Sequence, residues 1–176
     1  MRSQVRAAAR IVAALLLVGV LAGLVWALLV PAQHFLVVTP DGRGVSLTGE
    51  SSHQFDAVAL FVCIAAVVGL VSAVAAWQWR SARGPTLYAG LLLGSILGAA
   101  AMAGIGESVA RLRYPAPDSP AVDSVVAISP GLGTLVVLIV QPLVASFVVL
   151  VIASINPLDD LGSSPRVPEE SAAQRM

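Results

Sequence analysis

The residues best placed for recognition chemistry are Glu107, Arg111 and Arg113. Glu107 and Arg111 have the (i, i+4) spacing that lets a carboxylate and a guanidinium pair on one helix face. Arg111 and Arg113 would then present donors to an anionic lipid or polymer headgroup at an outer membrane face. The plainer alternative is an interfacial salt bridge with arginines snorkelling to water. A second polar element, Gln141-Pro142, lies inside an apolar run. A carboxamide in hydrocarbon needs a partner and proline removes a backbone donor, so the pair predicts a kink and an interhelical hydrogen bond, to Ser95 or Ser72. The functional alternative there is a polar element on a permeation path.

Other chemistries lack their residues. His34 and His53 share a segment with Asp41, Glu50 and Asp56, but no HxxxH or HExxH spacing accompanies them, and no metal site is expected. Cys63 is the only cysteine, which excludes an intrachain disulfide, a CxxC redox pair and the paired cysteines of four-helix quinone-reducing enzymes. There is no GxSxG elbow, and the absence of Lys removes Schiff-base and P-loop lysine chemistry. Neither enzyme activity nor a cofactor is expected.

The elements that must position these groups are four apolar runs, uncharged apart from Arg10 in the first: Ala7 to Val30, Ala57 to Trp77, Pro85 to Gly106 and Ser124 to Ile155. Crossing a bilayer takes about 20 helical residues, so each run is long enough. Of 176 residues, 57% are hydrophobic and 11% charged, with a mean hydropathy of +0.89. Soluble domains carry about 25% charge, so the composition indicates an integral membrane protein. Ten Arg balance ten carboxylates, and no nucleic-acid partner is expected. Arg2, Arg6 and Arg10 before the first run resemble a secretory signal, but the run is longer than such an apolar core and Val30-Pro31-Ala32 is a poor cleavage site. The expectation is an uncleaved first span.

The fold class expected is an all-α membrane protein, four transmembrane helices in a bundle with a small extracytoplasmic β-hairpin cap. Residues 1–10 form a cytoplasmic N-terminus. Residues 11–157 form the membrane domain, with spans at 8–30, 56–78, 86–110 and 131–155 and outer segments at 31–55 and 111–130. Residues 158–176 form a disordered cytoplasmic tail. Seven Arg fall on the N-terminus, the loop between spans two and three and the tail, against three on the other loops. Both termini are therefore expected inside, in the plasma (inner) membrane. Trp77, Trp79 and Tyr88 cluster at the proposed inner boundary, with Trp26 and Tyr114 near the outer one. The short connection from Gln78 to Pro85 predicts that spans two and three are antiparallel neighbours.

The first outer segment reads as a hairpin. His34 to Val38 and Gly44 to Thr48 are β-prone, and Asp41-Gly42 supplies a tight turn that sets Val38 against Val45 and Leu36 against Leu47. That register makes one apolar face, which something must cover; Val122, Val125, Val126 and Ile128 in the second outer segment could do so. The rival is a pair of loops lying on headgroups.

Within the spans, small residues recur at spacing four: Gly19 and Gly23 in span one, Ala65, Gly69 and Ala73 in span two, and Gly90, Gly94 and Gly98 in span three. Such ridges let helix backbones approach closely. They serve either packing within the bundle or a homodimer seam on Gly90 to Gly98.

Trp77-Gln78-Trp79-Arg80 with Arg83-Gly84-Pro85, then Arg111-Leu112-Arg113-Tyr114 and Asp159-Asp160-Leu161-Gly162, form a set of short motifs. In these the chain resembles small, uncharacterised actinobacterial, largely mycobacterial, membrane proteins grouped as a domain of unknown function. The resemblance extends over about the whole chain in its order of spans and outer segments. Pro115 and Ser163 stand where that family has Gly and an aromatic residue. The resemblance implies a four-span envelope protein and carries over no catalytic or binding residue.

Three functions compete. The leading one is an accessory or interaction partner in the cell envelope, in contact with the lipid bilayer and with a homo-oligomer or an envelope protein as partner. The second is a small transporter or channel subunit working as an oligomer, which requires Gln141 to face a water-filled seam. The third is an envelope-lipid enzyme, which requires a cleft gathering Glu107 with the histidines.

Overall fold

The computed structural model describes residues 2–38, 44–46, 50–79, 84–115 and 121–156. Helix α1 (Arg2–Leu29) leads into strands β1 (Gln33–Val37) and β2 (Gly44–Ser46), followed by α2 (Glu50–Gln78) and α3 (Pro85–Arg113). Strand β3 (Val125–Ile128), a 3-10 segment (Leu135–Ile139) and α4 (Val140–Ile155) complete the described chain. The expected fold class holds: four helices are long and apolar enough to cross a membrane, at Gln4–Leu29, Phe55–Gln78, Pro85–Arg113 and Leu135–Ile155, and a small antiparallel sheet caps one end. The Asp41-Gly42 turn, Leu47, the Arg80 and Arg83 loop and the tail from Leu158 lie outside the described residues.

The tightest pairs are alternate helices, α1 with α3 and α2 with α4. On α3, Gly90, Gly94, Gly98, Met102, Gly106 and Ala110 are all buried at spacing four. A Cβ on Gly90 would stand 2.8 Å from Ala8, one on Gly94 2.8 Å from Leu15, and one on Gly23 2.6 Å from the Met102 carbonyl oxygen. A Cβ on Gly19 would collide with the Gly98 backbone. Partner numbers rise together along both helices, so α1 and α3 run parallel in backbone contact. Gly69 gives α2 the same access to α4, where a Cβ would stand 2.7 Å from the Gln141 carbonyl oxygen.

Consecutive helices meet less. At the end away from the sheet, Trp77 and Tyr88 have ring centroids 6.5 Å apart, and Ala73 and Ala76 pack with Leu91. Elsewhere α2 and α3 touch sparsely. A short connection fixes direction, whereas side-chain volume fixes how long a contact two helices share, and the glycine ridge of α3 is spent on α1. The Gly90 to Gly98 face is thereby covered within one chain.

Trp26 corrects the expectation of an interfacial ring. It is fully buried, its indole N–H donates to the Ala57 carbonyl at 2.8 Å, and its ring meets Phe61 edge-on at 6.3 Å. A satisfied N–H lets the indole body serve as core.

The sheet has the order β2-β1-β3, with both pairings antiparallel. Two expectations change here. Leu36, not Val38, is opposite Val45, a shift of two that preserves faces and leaves residues 38–43 to connect the strands. And β3 does not cover the apolar face; it pairs edge-on, setting Leu36 opposite Val125 and Phe35 opposite Val126. The face that is buried carries Gln33 and Val37, while His34, Val38, Val125 and Ala127 are exposed on the other. Extending β1 by main-chain pairing satisfies backbone groups that a flat covering loop would leave open.

The fourth span also departs from its expected form. Its helix starts at Leu135, later than residue 131, and Thr134 caps the 3-10 segment by accepting from the Val136 N–H at 3.2 Å. Pro142 is the third residue of α4, directly after the 3-10 segment. The proline marks the change from 3-10 to α geometry, where a first-turn N–H is dispensable, and does not bend a continuous α-helix.

Candidate functional site

At the sheet end, the last turns of α3 carry three charges on a well-defined frame. Arg111 and Glu107 form an ion pair at 3.2 Å, with their side chains 73% and 30% exposed. The second carboxylate oxygen of Glu107 accepts the Leu132 N–H at 3.2 Å. Glu107 thereby fastens the strand-to-helix connection to α3. Beside it lies a groove of about 520 Å³, lined by Ala103, Gly104, Glu107, Thr134 and Leu138 among others. Gly104 opens it, because nothing stands within 4 Å of where its Cβ would be.

Arg113 has a different role. Its Nη1 donates to the carbonyls of Ala27 (3.0 Å) and Leu28 (2.7 Å), and its guanidinium lies 5.0 Å from the Tyr114 ring centroid. These carbonyls belong to the last turn of α1, where four acceptors lack helical partners and the helix dipole is negative. Arg113 is therefore a C-terminal cap delivered from another helix. Replacing Arg113 with Met should lower detergent stability by about 1–2 kcal/mol, whereas Arg111→Met should change it by less than about 1 kcal/mol, as for an exposed pair. Thermal unfolding of the two variants side by side tests this.

The structure thus brings Glu107 and Arg111 together and turns Arg113 toward α1. His34 is exposed on β1, and the side chain of His53 lies outside the described set. Among the described residues no three His, Cys, Asp or Glu side chains converge as metal ligands. Sequence reasoning missed the Leu132 N–H, Thr134 and Gly104 as parts of this corner. The only signal available was the Gly131-Leu132-Gly133-Thr134 run ahead of a helix.

Gln141 occupies the middle of the bundle. It is fully buried, neither carboxamide atom has a hydrogen-bond partner, and Nε2 lies 3.2 Å from where a Gly98 Cβ would be. The expected interhelical bond is not formed: Ser95 Oγ is also buried and unpartnered, and Ser72 donates to the Gly69 carbonyl of its own helix at 2.9 Å.

The exterior is as apolar as the interior. Leu17, Leu28, Val71, Leu93, Phe147 and Leu150 are all exposed, on every helix of the bundle. Large exposed apolar surfaces of this kind are uncommon on soluble monomers. Four such helices, with one capped end and no convergent metal-ligand cluster among the described residues, define a helical protein built to membrane-spanning dimensions. Residues 15–163 match the family model described as a protein of unknown function (DUF2567), and the chain belongs to that family. It is 41% identical over 103 residues to uncharacterized proteins of Mycobacterium tuberculosis and Mycobacterium bovis, covering 57% of this chain and 53% of each relative. The match thus spans about half the length of those relatives. With an uncharacterized protein of Mycobacterium leprae it is 34% identical over 161 residues, 82% of this chain and 81% of the relative. No solved structure matches.

Proposed function

We propose that the chain is a multi-pass plasma-membrane protein with both termini cytoplasmic, acting as an accessory partner of another cell-envelope protein through its sheet end. The observation that carries this reading is the uncovered apolar face of the sheet. Val38 and Val125 are 42% and 56% exposed there, at the same end of the molecule as the exposed guanidinium of Arg111. An exposed apolar patch of this kind is a common mark of a protein interaction surface. Of the two arginines, Arg111 is the donor left for an anionic headgroup, because Arg113 is committed to the α1 carbonyls. No chemistry is assigned to the chain. A transport path needs Gln141 beside water, and its complete burial favours a sealed interior within one copy.

A photo-crosslinking residue at position 125 tests the reading in cells. The expected result is a discrete adduct with one envelope protein, absent when the crosslinker stands at Leu93 on the bundle exterior and absent in a Val38→Asp background. Loss of any discrete adduct at position 125 defeats the reading. Orientation is tested separately. Reporter fusions at Gly84 and Asp118 should read inside and outside, and the opposite pattern overturns it.

A further inference from the structure

At the end of the bundle away from the sheet, α1 and α2 part. The glycine ridge draws α1 onto α3, and small residues across the gap, Ala14 on α1 and Ala75 on α2, leave a groove of about 530 Å³ open to the outside. Its lining is apolar apart from Ser72, whose hydroxyl donates to the Gly69 carbonyl of its own helix, and from one end, where Arg10 and Trp79 stand at the mouth. Val18 and Val67 line its deep end. Arg10 to Val18 spans about 12 Å of helix and Val67 to Trp79 about 18 Å, at 1.5 Å per residue. Those lengths bracket the half-thickness of a hydrocarbon core, about 15 Å.

The head of the groove is positive. Arg10 is exposed, and among the described residues no hydrogen bond or ion pair engages it. Arg6, exposed one helical turn earlier on the same side of α1, has a partner of its own, and the site rests on Arg10. Among the described residues no carboxylate lines the groove. Trp79 adds an amphipathic ring at the level where such rings meet headgroups.

We propose that this groove is a binding site for one anionic phospholipid of the cytoplasmic leaflet, an acyl chain lying between α1 and α2 and the phosphate on Arg10. An acyl chain fills the apolar slot that the helices leave, and the guanidinium meets phosphate in a paired geometry that a zwitterionic headgroup offers with less net charge. The assignment to that leaflet rests on the membrane orientation proposed above; the pairing of slot and charge does not.

The test uses full-length protein in nanodiscs containing equal phosphatidylglycerol and phosphatidylcholine, released in the mass spectrometer so that retained lipids are counted. One phosphatidylglycerol per chain is expected, favoured about fivefold over phosphatidylcholine, the factor contributed by one Arg at an anionic surface. Arg10→Gln should abolish the preference, and Arg10→Lys should keep most of it. Ala14→Phe, which fills the slot, should reduce retention of both lipids. Equal retention of the two lipids by the unaltered protein, or an unchanged preference in Arg10→Gln, overturns the proposal. Protein that enters nanodiscs without lipid selectivity defeats the site while leaving the membrane reading intact. Inverted reporter fusions alongside intact selectivity defeat the leaflet assignment alone.

Discussion

Placing Leu at position 19 should cost the protein about 3 kcal/mol or more of stability, the upper range for overpacking, because the new side chain meets backbone and not a movable side chain. The Gly98 carbonyl stands where a Cβ on residue 19 would go, and Gly98 is itself packed with its would-be Cβ 2.8 Å from the Leu15 carbonyl oxygen. Neither helix can yield without opening the whole α1–α3 seam. The control is Gly104→Ala on the same helix as Gly98. With nothing within 4 Å, the added methyl should be tolerated and gain up to about 1 kcal/mol from helix propensity. Thermal unfolding in mild detergent separates them. Equal melting of Gly19→Leu and the unaltered protein would falsify the backbone-contact account.

Replacing Gln141 with Met should have the opposite sign. Met keeps the length of the side chain and its unbranched shape, and removes two buried atoms that have no hydrogen-bond partner. Each unsatisfied group carries a desolvation penalty of about 1–3 kcal/mol, so a gain of that order is expected on substitution. Gln141→Ala should instead lose about 2 kcal/mol or more, because the side chain is fully buried and its removal leaves a cavity. Both are read as shifts in the detergent melting midpoint. A destabilised Gln141→Met would mean that the amide is satisfied by something bound between α3 and α4, and would redirect attention to the bundle centre.

These two residues mark where sequence reasoning reached its limit. The spans were legible because an uninterrupted apolar run of about 20 residues matches the thickness of a bilayer and few soluble elements need one. Small residues at spacing four were equally plain, but they mark where a backbone can be approached without naming the helix that approaches. In a soluble bundle the polar face would supply that information. Here exposed Leu17 and Leu93 are as apolar as buried Leu15 and Leu91, so the pattern that orients a helix is missing. Gly106 continues the α3 ridge against Trp26 but is hidden in sequence by the adjoining Glu107.

The site shows the same division. The Glu107 to Arg111 spacing is local and could be read directly. The partners of Arg113 lie 85 and 86 residues earlier in the chain, and no local pattern announces them. In the sheet, Asp41-Gly42 suggested a two-residue turn, whereas pairing of β1 on both edges sets a different register. The β tendency of the Val125 segment was legible; that it would extend the sheet and leave Val125 uncovered followed from backbone pairing, to which side-chain alternation is blind.

The alternate pairing of helices bears on the order in which the protein can be made. Helix α1 emerges from the ribosome with its glycine face bare and its terminal carbonyls unsatisfied, and among the described residues α3 meets both needs. Synthesis must therefore run through Arg113 before the first helix has its partner, with α2 already made and only loosely engaged. Stable helices first and lateral docking second is the natural order of events in a bilayer. For this chain the delay is long, because the defining contacts join segments roughly 80 residues apart, and closing such loops carries an entropic cost that local hairpins avoid. During that interval α1 is a helix with an open, backbone-accessible seam.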